Sequence, residues 1–369
     1  MSFLETIQLH DFRNIAEASL ALDSGFNLIV GDNGQGKSNL LEAVGILATG
    51  RSFRQAAPSL LRRNGCKFFR LEGLVRHRGD GHRLAFVGQV EGQRAWCNGK
   101  PLAAASLLGE TMAVVVVAPE TLRLVRGSPG ERRAFLDWLI FGRRRQHVAM
   151  MRDYQKAVLS RNALLRRGDA TPELDAWEDR MAVLGAAIAL IRRQTVGELL
   201  APLQEMLVKM GLPGERFRIN YGAQLPKTED DLTPQEVADH YRRLLVEARE
   251  GDRRQGQSSV GPHRDDLRLL MDGHPLARYA SQGQQRRFVL AIKLAEAALL
   301  QHHRGFKPLL LLDDPMAELD AAGISLLWEI LAADDGQILA VSCRPEEMAW
   351  TGQPAKRFRV CNGVFQQEG

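Results

Sequence analysis

The segment Gly31 to Ser38, GDNGQGKS, constrains the fold more than any other part of the sequence. It fits the pattern G-x-x-x-x-G-K-[ST] and lies between an apolar run, Phe26 to Val30, and a helical stretch that continues through Leu41 and Val44. In a strand–loop–helix unit of this kind, backbone N–H groups curl around phosphate oxygens and the helix offers its positive end. The sequence therefore predicts an α/β fold with a phosphate-binding loop.

Each residue type in this loop has a chemical role. We expect Lys37 to reach the β- and γ-phosphates of a nucleotide and to act in catalysis, and the Ser38 hydroxyl to ligate Mg²⁺. The remaining predicted nucleotide-binding positions are Gly31, Asn33, Gly34, Gly36 and Asn39. A chance glycine-rich turn is the alternative, but its place between strand and helix favours the phosphate loop.

An apolar strand with carboxylates at its end, Leu309 to Asp314, supplies a second anchor. We expect Asp313 to hold the Mg²⁺, directly or through water, and Asp314 to accept the proton of the attacking water. An ordinary acidic turn after a strand is the alternative. The Glu318-Leu319-Asp320 segment that follows favours the catalytic interpretation, and the implied cofactors are ATP and Mg²⁺.

The third element is Ser281 to Gln285, SQGQQ, directly before an amphipathic stretch. A helix N-terminus at this point would bind another phosphate-sized anion, so Ser281, Gly283 and Gln284 are predicted nucleotide-binding residues; an ordinary helix cap is the alternative. The order of the three elements is typical of ABC-type ATPases, in which Ser281 of one subunit would close over the γ-phosphate held by Lys37 of another.

Strand patterns at both ends of the chain enclose a middle with helical periodicity. We therefore predict an ATP-binding lobe from residues 1–118 and 303–369, with a mixed sheet, and a mainly helical lobe with an arm and the SQGQQ segment from residues 119–302. Two strand segments within 67–90, a hairpin turn at Asn98-Gly99 and a capping box from Ser128 to Glu131 are specific expectations. Since no heptad pattern is sustained, no long coiled coil is expected.

Composition excludes several classes of protein. The chain has 369 residues, of which 45% are hydrophobic and 25% charged, so it can bury a core. Its net charge of +5 is compatible with a polyanionic partner but does not establish one. The cysteines are far apart and form no CxxC pair, which argues against a zinc site or a disulfide framework. No apolar run approaches about 18 residues, so we expect a cytoplasmic protein with no membrane partner.

The chain resembles the RecF family of DNA-repair ATPases, which are related to the heads of SMC proteins. The motifs that carry the resemblance are Phe12-Arg13-Asn14, Gly50 to Arg54, Arg123 to Pro129, Arg132 to Asp137, Gly261 to Leu267 and Ser281 to Arg286. They cover essentially the whole chain and are highly specific as a set.

The resemblance implies an ABC-type head, ATP-driven formation of a homodimer and slow, DNA-stimulated ATP hydrolysis that times release. It also implies a nucleotide contact from Arg13. The implied partners are single-stranded and duplex DNA at gaps or junctions, and RecO and RecR, which together with this protein would help to load RecA.

The sequence departs from the ABC pattern at three positions. Ala340 to Cys343 has no switch histidine after the last parallel strand, and Glu120 stands near where a Q-loop glutamine is expected without aligning securely. Asp314 replaces the usual glutamate and is one methylene shorter, so we expect a less well placed base and slow turnover.

DNA contact is inferred from recurring arginines, because phosphate binding depends on such charges spaced along a surface. They are Arg51, Arg54, Arg62, Arg63, Arg123, Arg126, Arg132, Arg133, Arg143, Arg144 and Arg145. A solvated charge run is the alternative for any one of them. No base-reading element is visible, so sequence-independent binding is predicted.

The Gly261 to Leu267 segment could be interpreted as catalytic, because His263 is close in sequence to Asp265 and Asp266. We favour a structural turn stabilised by charge pairs and expect no nuclease activity, since nothing at metal-ligand spacing supports these carboxylates. Two other functions stay open. One is an ATPase subunit coupled to a membrane transporter, and the other is a scaffold that uses ATP as a structural ligand.

Overall fold

The computed structural model describes residues 2–77, 79–142, 146–168, 172–226, 232–316, 319–343 and 355–368. They form two compact units. Unit 1 comprises Met1–Leu122, Pro202–Gly214 and Ser281–Gly369, and unit 2 comprises Arg123–Ala201 and Glu215–Ala280.

The helices and strands follow in chain order. The strands are β1 (Ser2–Phe12), β2 (Ile15–Ala21), β3 (Phe26–Val30), β4 (Phe68–His77), β5 (Asp80–Gln89), β6 (Gly92–Cys97), β7 (Lys100–Pro101), β8 (Val114–Val117), β9 (Phe217–Gly222), β10 (Asp266–Met271), β11 (His274–Pro275), β12 (Leu309–Asp313), β13 (Ile338–Ser342), β14 (Ala355–Cys361) and β15 (Val364–Glu368). The α-helices are α1 (Lys37–Thr49), α2 (Pro58–Leu61), α3 (Arg123–Arg126), α4 (Pro129–Phe141), α5 (Gln146–Arg167), α6 (Pro172–Lys209), α7 (Pro234–Gln255), α8 (Leu276–Tyr279), α9 (Gln282–Arg304) and α10 (Ala321–Ala332).

Unit 1 contains an antiparallel sheet, sheet A, with strand order β2-β1-β4-β5-β6-β7. Residues along β4 alternate between buried and more exposed positions, as expected when one face of a sheet covers a core. Strands β4 and β5 pair from Phe68 opposite Gln89 to His77 opposite Asp80, which confirms the two predicted segments. Asn98 and Gly99 form the predicted turn between β6 and β7, both with positive φ (51° and 76°).

The second sheet of unit 1, sheet B, has strand order β15-β14-β3-β13-β12-β8. Its pairs are parallel except for the terminal hairpin β14–β15. Strands β3, β12 and β13 are buried at every residue, because both faces of a parallel sheet are usually covered. The carboxyl ends of these strands meet at one edge, where α/β sheets commonly bind ligands.

Helix α1 contacts strands of both sheets, including β1 and β4 of sheet A and β12 and β13 of sheet B. Nearly all of its residues are buried, including Leu40, Leu41 and Val44. A helix that is buried on nearly every side needs packing partners on every side, and the two sheets supply them. The packing of α1 therefore fixes the residues at its first turn relative to both sheets.

Unit 2 combines α3, α4, α5, α7, α8 and most of α6 with a small sheet of order β11-β10-β9. Its core contains a fully buried arginine, Arg161, which donates to Glu178 (3.0 Å), Asp252 (2.6 Å), Ser258 (2.9 Å) and the carbonyl of Leu245 (3.0 Å). Such a charge is tolerated in a core only because its hydrogen-bonding groups find partners.

The unit boundaries differ from the predicted division at residues 118/119 and 302/303. Helix α9 and residues 202–214 belong to unit 1, although both were assigned to the helical lobe. Helix α9 buries Phe288, Leu290 and Ile292 and contacts β8 of sheet B. Helical periodicity shows that a face is buried but not against which core, so this assignment needed the structure.

Candidate nucleotide-binding site

The site lies where β3, β12 and β13 end at the carboxyl edge of sheet B. The phosphate loop, residues Gly31 to Ser38, follows β3 directly, and Lys37 opens helix α1. Strand β13 lies between β3 and β12, pairing with both in parallel register. This topology brings Asp313, at the end of β12, close to the first turn of α1 across a large separation in sequence.

Lys37 is almost completely buried, with 5% of its surface exposed. Its Nζ donates to the carbonyl oxygens of Gly31 (2.6 Å) and Asp32 (2.8 Å). These bonds hold the ammonium group against the loop, where phosphate oxygens would have to bind if the loop acts as its pattern predicts.

Ser38 and Asp313 are joined directly: Ser38 Oγ donates to Asp313 Oδ1 at 2.8 Å. Asp313 is buried, and burial raises the pKa of its carboxyl group, while the Ser38 bond and the charge of Arg54 oppose that rise. A hydroxyl and a carboxylate at this spacing fit Mg²⁺, which is usually bound by one or two protein oxygens together with substrate phosphates. The two predicted metal ligands therefore lie together.

Arg54 also faces this pair, which sequence reasoning did not foresee. Its Nη2 donates to Asp313 Oδ2 (3.2 Å) and its Nη1 to Asn39 Oδ1 (3.3 Å), while Nε lies 3.8 Å from Glu120 Oε1. The available signal was the position of Arg54 in the Gly50 to Arg54 motif. Glu120, which stands near the expected position of a Q-loop glutamine, thus faces the arginine that contacts Asp313.

Asp314 has a left-handed backbone with φ of 45°. Its N–H donates to the carbonyl of Val341 (3.1 Å), and its Oδ1 accepts a hydrogen bond from the N–H of Cys343 (3.2 Å). A non-glycine residue in this conformation is uncommon and is held there by its surroundings. These two bonds fix the Asp314 carboxylate beside the end of β13.

Arg13 has a partner inside the protein. Its guanidinium donates to both carboxylate oxygens of Glu42 in α1, at 2.9 and 2.8 Å, and Ser52 Oγ donates to the same carboxylate at 2.5 Å. Glu42 is fully buried, so Arg13 neutralises a charge in the core of unit 1. The nucleotide contact predicted for Arg13 stays a prediction.

Asn14 and Asn39 connect the β1–β2 turn with the phosphate loop. Asn14 Nδ2 donates to the carbonyl of Gly34 (3.2 Å), and Asn39 Nδ2 donates to Asn14 Oδ1 (2.8 Å). Gly36 has φ of 115°, and a Cβ there would lie 3.1 Å from Asn14 Oδ1, so this position requires glycine. Asn33 is exposed.

Ser281 caps helix α9 in unit 1. Its Oγ accepts from the N–H of Gln284 (3.2 Å), and Gln284 Oε1 accepts from the N–H of Ser281 (2.9 Å), which is a capping box. Ser281 is exposed, and a Cβ added at Gly283 would meet open space. The helix cap considered as an alternative is therefore present, and the anion site stays a prediction.

Asp320 ties this helix to the segment after β12. Arg287 Nη2 donates to Oδ1 and Oδ2 of Asp320, whose Oδ1 also accepts from Gly323 at the start of α10 (3.0 Å). The Arg287 bond is the main reason that the pKa of Asp320 lies below its ordinary value. Glu318, predicted beside it, lies outside the described residues.

His263 and the adjacent carboxylates are structural groups of unit 2. His263 Nδ1 lies 2.7 Å from the Tyr154 hydroxyl and its Nε2 lies 3.1 Å from the carbonyl of Ser258. Burial lowers the pKa of His263 to about 4 and raises that of Asp265 to about 6. Asp266 accepts two hydrogen bonds from Arg132, at 2.7 and 3.0 Å. These contacts agree with the structural turn that we favoured.

The arginines expected to contact DNA separate into three groups. Arg54, Arg132 and Arg133 are half-buried and donate to Asp313, Asp266 and the carbonyl of Asp265 (2.7 Å), so a DNA contact from them would compete with these bonds. Arg143, Arg144 and Arg145 lie outside the described residues. Arg62, Arg63 and Arg123 also have contacts within the protein, to the carbonyl of Lys67 (3.3 Å), Asp11 (3.6 Å) and Glu131 (3.9 Å). For all of the described arginines DNA contact stays a prediction.

Comparison with known proteins covers the whole chain. It is 49% identical to the DNA replication and repair protein RecF of Magnetococcus marinus over 98% of this chain and 97% of the relative. A RecF from Gloeobacter violaceus is 40% identical over 86% of each chain. Residues 6–81 match the model of the AAA domain family.

Solved structures lead to the same fold. The structures described as the recombination mediator protein RecF-ATPrS and RecF-ATP in the RecFOR pathway each superpose with a TM-score of 0.90 at 28% identity, covering 100% of this chain and 98% of theirs. An Smc head domain bound to the C-terminal domain of ScpA superposes with a TM-score of 0.57 at 16% identity, over 100% of this chain and 96% of that one, which shows the fold alone. The predicted ABC-type ATPase head is confirmed.

Proposed function

Because the chain belongs to the RecF family of DNA replication and repair proteins, we propose that it binds and hydrolyses ATP with Mg²⁺ and uses this cycle to hold and release DNA. The hydrogen bond from Ser38 to Asp313 carries the proposal, because it unites the phosphate loop with the acidic end of β12. Solved RecF structures named for ATP and ATPrS support the binding of a nucleotide.

Each residue of the site has a distinct task. The loop backbone and Lys37 bind the β- and γ-phosphates, and Ser38 and Asp313 would hold the Mg²⁺, which would supply charge neutralisation. Asp314 accepts the proton of the attacking water, with its carboxylate oriented by the N–H of Cys343. Its short side chain makes hydrolysis slow, which suits a timer for release.

The exposed N-terminus of α9 completes the site from a second copy of the chain. Ser281 and Gly283 lie at an accessible helix end that can donate to an anion, and the macrodipole favours negative charge there. ATP therefore stabilises a homodimer, since a ligand shifts an equilibrium only by its different affinity for the two states. Hydrolysis removes the shared γ-phosphate and opens the dimer.

The closed dimer holds DNA. The names of the relatives place them in DNA replication and repair, and the related structures in the RecFOR pathway. We expect sequence-independent contacts to single-stranded and duplex DNA at gaps or junctions, stimulation of hydrolysis by DNA, and cooperation with RecO and RecR in loading RecA. Transport is not favoured, because the relatives that span the chain are named for repair; no helix in the described ranges is long and apolar enough to cross a bilayer.

ATP binding and hydrolysis with and without gapped DNA test the proposal. Ser38→Ala and Asp313→Asn should each reduce Mg²⁺-dependent hydrolysis by about a hundredfold or more, because the first removes a metal-binding oxygen and the second removes the carboxylate charge that attracts the cation. The control is Glu91→Gln, which neutralises an exposed carboxylate at the β5–β6 turn. Parental rates in both site variants would reject the site, and parental protein without ATPase activity under any condition would reject the function.

A further inference from the structure

The turn of the last hairpin contacts the phosphate loop. Asn362 and Gly363 connect β14 to β15, with φ of 49° and 77°, the arrangement of a type I′ turn. The N–H of Asn362 donates to Gln35 Oε1 at 2.6 Å, and the N–H of Gly363 donates to the carbonyl of Gln35 at 2.9 Å. One residue of the loop is thus held through both its side chain and its backbone.

The same turn packs on Asn14 of the β1–β2 turn. A Cβ at Gly363 would lie 2.8 Å from the carbonyl oxygen of Asn14 and 3.3 Å from the Cα of Ile15. Asn14 itself accepts from Asn39 and donates to Gly34 in the phosphate loop. The two turns therefore contact each other and hold adjacent residues of the loop, Gly34 and Gln35.

The hairpin is itself fixed to the strand that leads into the loop. Strand β14 pairs in parallel with β3, with Phe358 opposite Ile29 and Arg359 opposite Val30. Phe358 is buried, and a Cβ at Gly31 would lie 2.5 Å from the carbonyl of Val360. The Asn362–Gly363 turn thus reaches Gln35 from a rigid base.

We propose that the Asn362–Gly363 turn is a positioning element of the nucleotide site, which holds the phosphate loop through Gln35 in the conformation that binds ATP. The inference rests on the proposed function, because it assigns a task in nucleotide binding. A loop already held in its binding conformation loses less conformational freedom when the ligand arrives, so its affinity is higher. Neither residue of the turn need touch the nucleotide.

A matched pair of glycine substitutions tests the proposal. Gly363→Ala and Gly99→Ala each place a Cβ at the second residue of an Asn-Gly turn, at φ of 77° and 76°, and so impose similar backbone strain. Only Gly363 has a neighbour in the way, since a Cβ at Gly99 meets nothing within 4 Å. Gln35→Met removes the acceptor for Asn362 at nearly constant side-chain volume.

Affinity for a fluorescent ATP analogue and the thermal midpoint without nucleotide are measured for each variant. We expect Gly363→Ala and Gln35→Met to weaken analogue binding about 5- to 20-fold, the scale of a lost preorganising contact. Gly99→Ala should bind like the parent and lose only the thermal stability that backbone strain costs. Parental affinity in Gln35→Met would overturn the inference even if Gly363→Ala did not fold. A parent that binds no analogue would instead overturn the proposed function.

Discussion

Arg287 in α9 and Asp320 before α10 form an ion pair in which one nitrogen, Arg287 Nη2, donates to both carboxylate oxygens, at 2.5 and 2.8 Å. Arg287 follows Ser281 by less than two helical turns, and Asp320 follows the Asp313-Asp314 end of β12. The pair thus connects the helix proposed to reach a second subunit with the segment that carries the proposed base.

Replacing this pair should affect turnover more than folding. Asp320 is largely exposed, so the ion pair contributes little stability. We expect Arg287→Ala to lower ATP hydrolysis about tenfold through misplacement of α9, with nearly unchanged thermal unfolding. Arg216→Ala, which breaks the half-exposed pair with Asp272 in unit 2, is the control and should leave the rate unaffected. Equal rates in the two variants would argue against the connection.

The Arg13–Glu42 pair, in contrast, should affect the stability of the fold. Arg13→Ala leaves the Glu42 carboxylate buried without its counter-charge, so unfolding should become easier by about 3 kcal/mol. Adding Glu42→Gln should restore part of that loss. Denaturant unfolding of the single and double variants measures this coupling, with Arg76→Ala at the half-exposed Glu5 pair as control. Additive effects would show that the pair does not stabilise the core.

Asp265 and His263 in unit 2 should make opposing contributions to the pH dependence of the free energy of unfolding. The raised pKa of Asp265, about 6, means that the folded protein keeps a proton which the unfolded chain loses above about pH 4, so stability falls as pH rises from 4 to 6. The lowered pKa of His263, about 4, means that the unfolded chain holds the extra proton up to about pH 6.5, so stability rises over that range. In the parent the two slopes nearly cancel.

Single variants should reveal each slope. For Asp265→Asn the free energy of unfolding should increase as pH rises from about 4 to 6.5. For His263→Gln it should decrease as pH rises from about 4 to 6, and each slope should be roughly 1.4 kcal/mol per pH unit at most. Denaturant midpoints at several pH values, expressed relative to the parent, measure this. Profiles of both variants that run parallel to the parent would contradict the assignment.

Asp314→Asn should separate binding from hydrolysis. Asparagine keeps an Oδ1 that can accept from the N–H of Cys343 but cannot take the proton of water, so hydrolysis should fall by about a hundredfold or more while ATP binding survives. Single-turnover assays and light scattering should show a persistent ATP-bound dimer. Asp335→Asn, which changes an exposed partner of Lys307, controls for loss of charge. Rapid turnover by Asp314→Asn would remove Asp314 from its role.

Local patterns in the sequence were enough to identify the central groups. The phosphate loop and the acidic end of β12 each have a recognisable order of residue types, and parallel strands had to bring their carboxyl ends together, so Ser38 and Asp313 could be paired before their contact was seen. The Asn98-Gly99 turn and the Ser128–Glu131 capping box are equally local; the N–H of Ser128 donates to Glu131 Oε2 at 2.7 Å.

The remaining features depend on contacts between distant segments. The Gly50 to Arg54 motif draws attention to Arg54 but does not indicate that it faces Asp313, and nothing near Gln35 indicates the hairpin turn at Asn362. The resemblance assigned a nucleotide contact to Arg13 but gave no indication of its hydrogen bonds to Glu42. Charge and turn residues are visible in a sequence, but their partners are chosen by the packing of sheets and helices.

The central claim is that ATP joins the phosphate loop of one copy to the Ser281 helix end of another, and mixing two defective variants tests it most directly. Lys37→Ala and Ser281→Arg should each remain monomeric with ATP and Mg²⁺ in light scattering. Mixed together, they should form a heterodimer, because the loop of one variant and the helix end of the other still make one intact site. A mixture that stays monomeric, or a Ser281→Arg protein that dimerises alone with ATP, would contradict the claim.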